Sequence, residues 1–98
     1  MVKVFISQPM KGRTDDEILA ERQSIIDKLP ADAEVIDSYI KDGDDDPLKL
    51  LGQSLERMAD ADMVVFAENW HFNRGCKIEH EAAYRYCKKV KYASDLLS

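Results

Sequence analysis

The stretch Asp62-Met63-Val64-Val65-Phe66-Ala67 is apolar without a break after its leading acid. A half-buried strand alternates polar and apolar residues. A short run that does not alternate fits a strand covered on both faces, as central strands of parallel sheets are. Outward from it the period changes. Upstream, Leu48, Leu51, Leu55 and Met58 recur at three and four residues, a helix that opens with Asp46 as N-cap and Pro47 at N1. Ser54 flanks that apolar face. Downstream, residues 68–75 read as a loop carrying Trp70, His71 and Phe72, with Gly75 at the junction to a third helix over roughly 76–88. Val90-Lys91-Tyr92-Ala93 is a candidate fourth strand.

The N-terminal half repeats the alternation. Val2 to Ile6 is a short apolar run, expected to be a buried strand, and Ser7–Arg13 is the polar loop after it. Thr14 and Glu17 have the spacing of a capping box. Ile18, Arg22, Ile25, Ile26 and Leu29 continue a helix that Pro30 stops. Glu34-Val35-Ile36-Asp37 is a second strand, with Asp37, Ser38 and Tyr39 at its carboxyl end. Residues 41–46 form an acidic loop that lacks the spaced ligands and closing Glu of an EF-hand. The order βαβαβαβ predicts a small α/β domain over residues 1–98. It is a doubly wound, Rossmann- or flavodoxin-like parallel sheet of about four strands, with helices on both faces and right-handed crossovers.

Composition narrows the function. Fourteen basic residues stand against 19 acidic ones, a net charge of −5, which argues against an extended nucleic-acid surface. No apolar run is long enough to span a membrane, and the N-terminal run is too short for a signal peptide. Cys76 and Cys87, both placed on the third helix, lie about 16 Å apart along it, too far to bridge. Reduced thiols in a cytoplasmic protein are the expectation. Neither the cysteines nor His71 and His80 have metal-site spacing, so no metal or cofactor is expected.

On the third helix, residues 79, 82, 83, 86 and 90 share one face, and at about 100° per residue Glu79 falls in the middle of that buried stripe, in the first turn. Glu81 points to solvent, four residues before Arg85. An inward carboxylate is costly to bury without partners, and the helix N-terminus helps keep it ionised. Two roles fit Glu79: a nucleophile or base, or a structural cap for free backbone N–H groups. In parallel sheets ligands bind outside the carboxyl ends of the strands. Three loops lie there. The first carries Lys11-Gly12-Arg13 beside a helix N-terminus, which suits a phosphate or is a plain solvated turn. The second runs from Asp37. The third carries Trp70, a surface to stack on a base or a packing residue.

Four segments together resemble a small family of phage and bacterial proteins over nearly the whole chain: Phe5-Ile6-Ser7-Gln8-Pro9-Met10-Lys11-Gly12, Val35-Ile36-Asp37-Ser38, Ala59-Asp60-Ala61-Asp62 and Arg74-Gly75-Cys76-Lys77-Ile78-Glu79-His80-Glu81. Through a few motifs that family is similar to the nucleoside 2-deoxyribosyltransferases and the 2′-deoxynucleoside 5′-phosphate N-hydrolases. The resemblance implies a doubly wound fold and cleavage or transfer at the N-glycosidic bond through a covalent glycosyl–glutamate intermediate. Gly75 to Glu79 matches the Gly-x-x-x-Glu segment of the nucleophile, which points to Glu79. It implies further that Lys11 and Gly12, with Arg13, hold a 5′-phosphate, and Ser7, Gln8 and Met10 of the same loop are expected to bind substrate. Asp37, Ser54, Trp70, Asn73 and Gly75 are then expected to complete the contacts with a nucleoside or nucleotide. A homodimer or higher oligomer built partly on the second and third helices is implied as well. Two positions depart from the enzymes' pattern. Phe5 stands where they carry a Tyr near the nucleophile, and Ser54 where they carry an Asp that assists the leaving base. A non-catalytic protein that binds or senses a nucleotide in the same crevice is the second expectation, and an interaction protein using Trp70 and Phe72 the third.

Overall fold

The computed structural model describes residues 2–36 and 46–96. Four strands, β1 (Val2–Ser7), β2 (Ala33–Ile36), β3 (Met63–Phe66) and β4 (Lys89–Tyr92), form one sheet in the order β2-β1-β3-β4. All three pairings are parallel. Three helices connect them: α1 (Asp15–Asp27), α2 (Pro47–Met58) and α3 (Arg74–Arg85). This is the doubly wound α/β fold expected from the alternation.

Period-2 alternation in the two central strands builds two cores. Val4, Ile6, Met63, Val65 and Ala67 face one way and pack with Ile25, Ile26 and Leu29 of the α1 segment. Phe5, Val64 and Phe66 face the other way and pack with Leu55 and Met58 of α2 and with Ala82 and Ala83 of α3. β1 and β3 are buried on both faces, which is why their sequences are continuously apolar. Reciprocal bonds between Lys3 and Asp62 join the start of β3 to β1: Lys3 N donates to Asp62 Oδ2 at 2.9 Å, and Asp62 N to Lys3 O at 2.8 Å.

Local signals set the helix starts. Thr14 and Glu17 form the full capping box of α1. Asp46 caps α2 by accepting from Leu48 N at 2.9 Å, with Pro47 next to it. α3 differs from expectation at both ends. It starts at Arg74 because Asn73, not Gly75, is the boundary: Asn73 Oδ1 accepts from Cys76 N at 2.9 Å. Gly75 lies inside the first turn, and the segment before it, Trp70–Phe72, is a single 3-10 turn rather than an open loop. α3 stops at Arg85, short of residue 88, in a Schellman motif. Lys88 N donates to Ala83 O at 2.9 Å and Cys87 N to Tyr84 O at 3.3 Å. Cys87 holds the left-handed position with φ 60, a place usually taken by Gly. Tyr86 and Cys87 are therefore off the helix, and Tyr86 is 81% exposed rather than part of the buried stripe. Leu48, expected on the apolar face of α2, is 74% exposed. No helix among the described residues is long and apolar enough to cross a membrane.

Candidate functional site

A cleft of about 240 Å³ opens at the carboxyl end of β1, between the β1–α1 loop and the N-terminal halves of α2 and α3. Its lining brings together Ser7, Gln8, Met10, Lys11, Ser54, Asn73, Gly75 and Glu79 of the expected site. Pro47, Leu50 and Leu51 form an apolar wall from α2, and Phe5 and Cys76 complete the lining. Phe5 brings no hydroxyl to it.

Glu79 lies deepest in chemical interest. It is the sixth residue of α3, in the second turn rather than the first, past the N–H groups that lack intrahelical partners. Asn73 already supplies the cap, so the cap role for Glu79 is excluded. The side chain is only 7% exposed. Ser7 Oγ donates to Glu79 Oε1 at 2.7 Å, a buried bond between the last residue of β1 and α3. Oε2 makes no hydrogen bond among the described residues and is not sealed off from solvent. Burial pushes the carboxyl up to about 7, and the Ser7 hydrogen bond opposes that rise. With the carboxyl at about 7, Glu79 is only partly ionised at neutral pH. Burial also pushes the Cys76 thiol up to about 11, so it stays protonated and unreactive at neutral pH.

The loop after β1 divides into an anchored base and a free tip. Gln8 Nε2 donates to Ile18 O at 3.1 Å and to Glu21 Oε1 at 3.0 Å. Arg13 pairs with the same Glu21 oxygen at 2.8 Å and donates to Pro9 O at 2.9 Å. These bonds fasten the loop to α1. They also take Arg13 out of the expected site, since its guanidinium is engaged with α1 and it does not line the cleft, whereas Gln8 lines the cleft with its amide nitrogen turned to α1. Gln8 Oε1 is buried without a partner. Its neighbours fix the amide orientation, since both groups facing Nε2 are acceptors. The tip is the turn Met10-Lys11-Gly12-Arg13, closed by Arg13 N to Met10 O at 3.2 Å. Gly12 takes φ 79 at its third position, as a type II turn requires. Gly12 shapes the turn and does not line the cleft. Lys11 lines the cleft with no hydrogen bond or ion pair among the described residues.

Asn73 has a double position. Its Oδ1 is used by the cap, its Nδ2 has no bond among the described residues, and the residue borders the cleft. At Gly75 an added Cβ would meet that same Oδ1 at 3.4 Å, about van der Waals contact. Trp70 is not in this cleft. It stacks on His80, with centroids 4.1 Å apart and planes 15° apart, and lies 5.9 Å from Tyr92. His80 Nε2 and Tyr92 Oη are 2.8 Å apart. With Tyr92, Trp70 lines a separate cavity of about 340 Å³ at the ends of β3 and β4. Asp37 lies outside the described residues.

α2 and α3 also leave an apolar face between them. Leu48, Leu51 and Ile78 border a hollow of about 500 Å³, and Leu55, Met58, Ala82 and Tyr86 a second of about 290 Å³. Leu51 borders both the first hollow and the Glu79 cleft. Among the described residues no group of three or more His, Cys, Asp or Glu side chains gathers to hold a metal ion. No family model, curated protein or solved structure matches the chain.

Proposed function

We propose that the chain cleaves or transfers the N-glycosidic bond of a 2′-deoxynucleoside or its 5′-phosphate, with Glu79 as nucleophile. One observation carries this: a buried carboxylate with one oxygen anchored by Ser7 and the other unpartnered and open, at the carboxyl end of the sheet. Motif resemblance supplies the reaction class. Oε2 gives the electron pair that forms the bond to the anomeric carbon. The C–N bond breaks with its pair passing to the base nitrogen, which takes a proton from water. Water or a second base then displaces Glu79, its proton passes to solvent, and the pair returns to the carboxylate. Lys11 holds the 5′-phosphate, Asn73 Nδ2 contacts the sugar, and the base packs on Pro47, Leu50 and Leu51. No step needs a cofactor. The unbridged thiols suit a cytoplasmic setting.

A second copy of the chain covers the apolar α2–α3 face in this proposal. The cleft formed by the described residues is smaller than the roughly 300–1,000 Å³ usual for ligand sites, and Leu51 joins it to the uncovered face.

The test is single-turnover incubation with a panel of deoxynucleosides and deoxynucleotides, with detection of free base and of a glycosyl adduct by intact mass. Base release with an adduct on Glu79 is the expected result. Binding without base release over hours defeats the catalytic proposal. It supports a nucleotide sensor instead, a reading favoured by the missing hydroxyl at Phe5 and by Ser54, which cannot protonate a leaving base.

A further inference from the structure

We infer that Ser7 is the positioning residue for Glu79, its hydroxyl holding Oε1 so that Oε2 is presented to the cleft. The inference rests on the glycosyl-transfer function proposed above, and four observations support it. First, Ser7 is itself immobilised. It is the last residue of β1, pairs in register with Phe66, accepts from Ala67 N at 2.9 Å and is 2% exposed. Second, alternation along β1 turns it to the α2–α3 side, with Phe5, while Val4 and Ile6 face α1. Third, the 2.7 Å bond joins residues 72 positions apart in the chain, so it is a tertiary constraint and no accident of local sequence. Fourth, the bond uses only one carboxylate oxygen and leaves the other unpartnered.

The chemistry suits each stage. A hydroxyl donates to a carboxylate and accepts from a carboxylic acid, so the pair remains bonded when Glu79 changes protonation. When Oε2 bonds to the anomeric carbon, Oε1 becomes the ester carbonyl and still accepts from Ser7. When the ester is displaced, the returning negative charge falls on an oxygen already hydrogen-bonded, an interaction stronger than in the neutral ester. Ser7 touches neither the sugar nor the base in this scheme and acts through Glu79. The other groups around the carboxylate do not duplicate it. Cys76, on the same helix, is a protonated thiol. Lys11 reaches the cleft from the β1–α1 loop, and the α2 wall of Pro47, Leu50, Leu51 and Ser54 carries no titrating group.

The experiment uses the whole chain with Ser7→Ala and Ser7→Thr. The Glu79 side-chain carbonyl is titrated by ¹³C NMR, and base release is measured in single turnover at saturating deoxynucleotide across pH. Removing a donor to the charged form raises the carboxyl further. We expect Ser7→Ala to move the Glu79 midpoint up by about one pH unit, the size of one charge-assisted hydrogen bond. We also expect it to lower the single-turnover rate about tenfold or more, with the acidic limb of the pH profile moved the same way and substrate affinity little changed. Ser7→Thr keeps the hydroxyl and restores both readouts. An unmoved midpoint in Ser7→Ala, or a rate loss equal at every pH and not restored by Thr, makes Ser7 a packing residue and overturns the inference. A midpoint that moves in a parent protein that never releases base overturns the catalytic role together with the proposed function; the titration distinguishes that case from failure of the Ser7 contact.

Discussion

Glu79 and Glu81 lie two residues apart on α3 and have opposite environments. Glu79 is buried and bonded to Ser7 across the fold. Glu81 is exposed and accepts from Arg85 Nε at 2.7 Å on its own helix. Phase on one helix separates a carboxylate buried against the sheet from one that faces solvent.

Glu79→Gln should therefore stabilise the protein, and the gain should depend on pH. The folded carboxyl lies at about 7 against 4.5 for the free group. A carboxyl raised in the folded state costs nothing below its unfolded value; the cost builds as pH climbs from there to the folded value and is complete above it. At pH 8.5 the substitution should add about 3 kcal/mol, and at pH 4 almost nothing. Urea unfolding at the two pH values checks this. Equal effects at both would mean that the carboxyl is not raised.

Glu81→Gln removes a surface pair. Its loss should stay within about 0.2–0.5 kcal/mol, and any turnover should stay within a few-fold of the parent rate. If this variant loses the activity and Glu79→Gln keeps it, Glu81 and not Glu79 is the nucleophile.

Lys11→Ala tests the phosphate corner. The side chain has no partner among the described residues to lose, so stability should be unchanged. Calorimetry should show deoxynucleotide binding weakened by roughly 1.5–3 kcal/mol, as for a hydrogen bond to a charged group, and nucleoside binding left alone. Equal losses for both ligands would make Lys11 a general attractor of anions rather than a phosphate contact.

Most of the fold could be read from the chain because its signals are local. The capping box of Thr14 and Glu17, the Asp46–Pro47 start and the unbroken apolarity of β3 each state their structure within a few residues. The end of α3 could not be read. Its Schellman position holds Cys87 in place of glycine, and nothing in the sequence marks a cysteine as left-handed. Glu79 stood out by helical phase, but its partner Ser7 lies on a distant strand and only the β1–α3 packing joins them. Asn73 is a good N-cap by type, but the nearby Gly75 is the more conspicuous helix boundary in the sequence. Arg13 and Trp70 have the chemistry of ligand contacts, but both are engaged within the fold. Glu21 engages the first, and His80 with Tyr92 the second.

Cys87→Gly follows from that helix end. Glycine takes φ near 60 without the penalty of about 1–2 kcal/mol that other residues meet there, against some loss from a freer unfolded chain. A net gain of about 0.5–1 kcal/mol is expected in thermal or urea unfolding. A loss of stability would mean that the Cys87 side chain makes a contact worth more than the strain.

Ile78→Lys tests the proposed second copy on the α2–α3 face. Ile78 is 43% exposed and borders the hollow shared with Leu48 and Leu51, so a lone chain should tolerate the change. Light scattering at tens of micromolar should show at least a dimer for the parent and a single chain for the variant. A parent that runs as a single chain rules out the second copy at this concentration.

The sheet keeps its two cores on opposite sides, and this makes the molecule separable for engineering. Ile25 belongs to the cluster on the α1 side, and Met58 to the cluster on the α2–α3 side. Side chains that share no partners give additive free-energy changes. Stabilising substitutions can therefore be accumulated around α1 as a reserve, without retuning the face on which Glu79, Ser7 and the apolar wall meet. Directed evolution of the cleft could then draw on that reserve one substitution at a time.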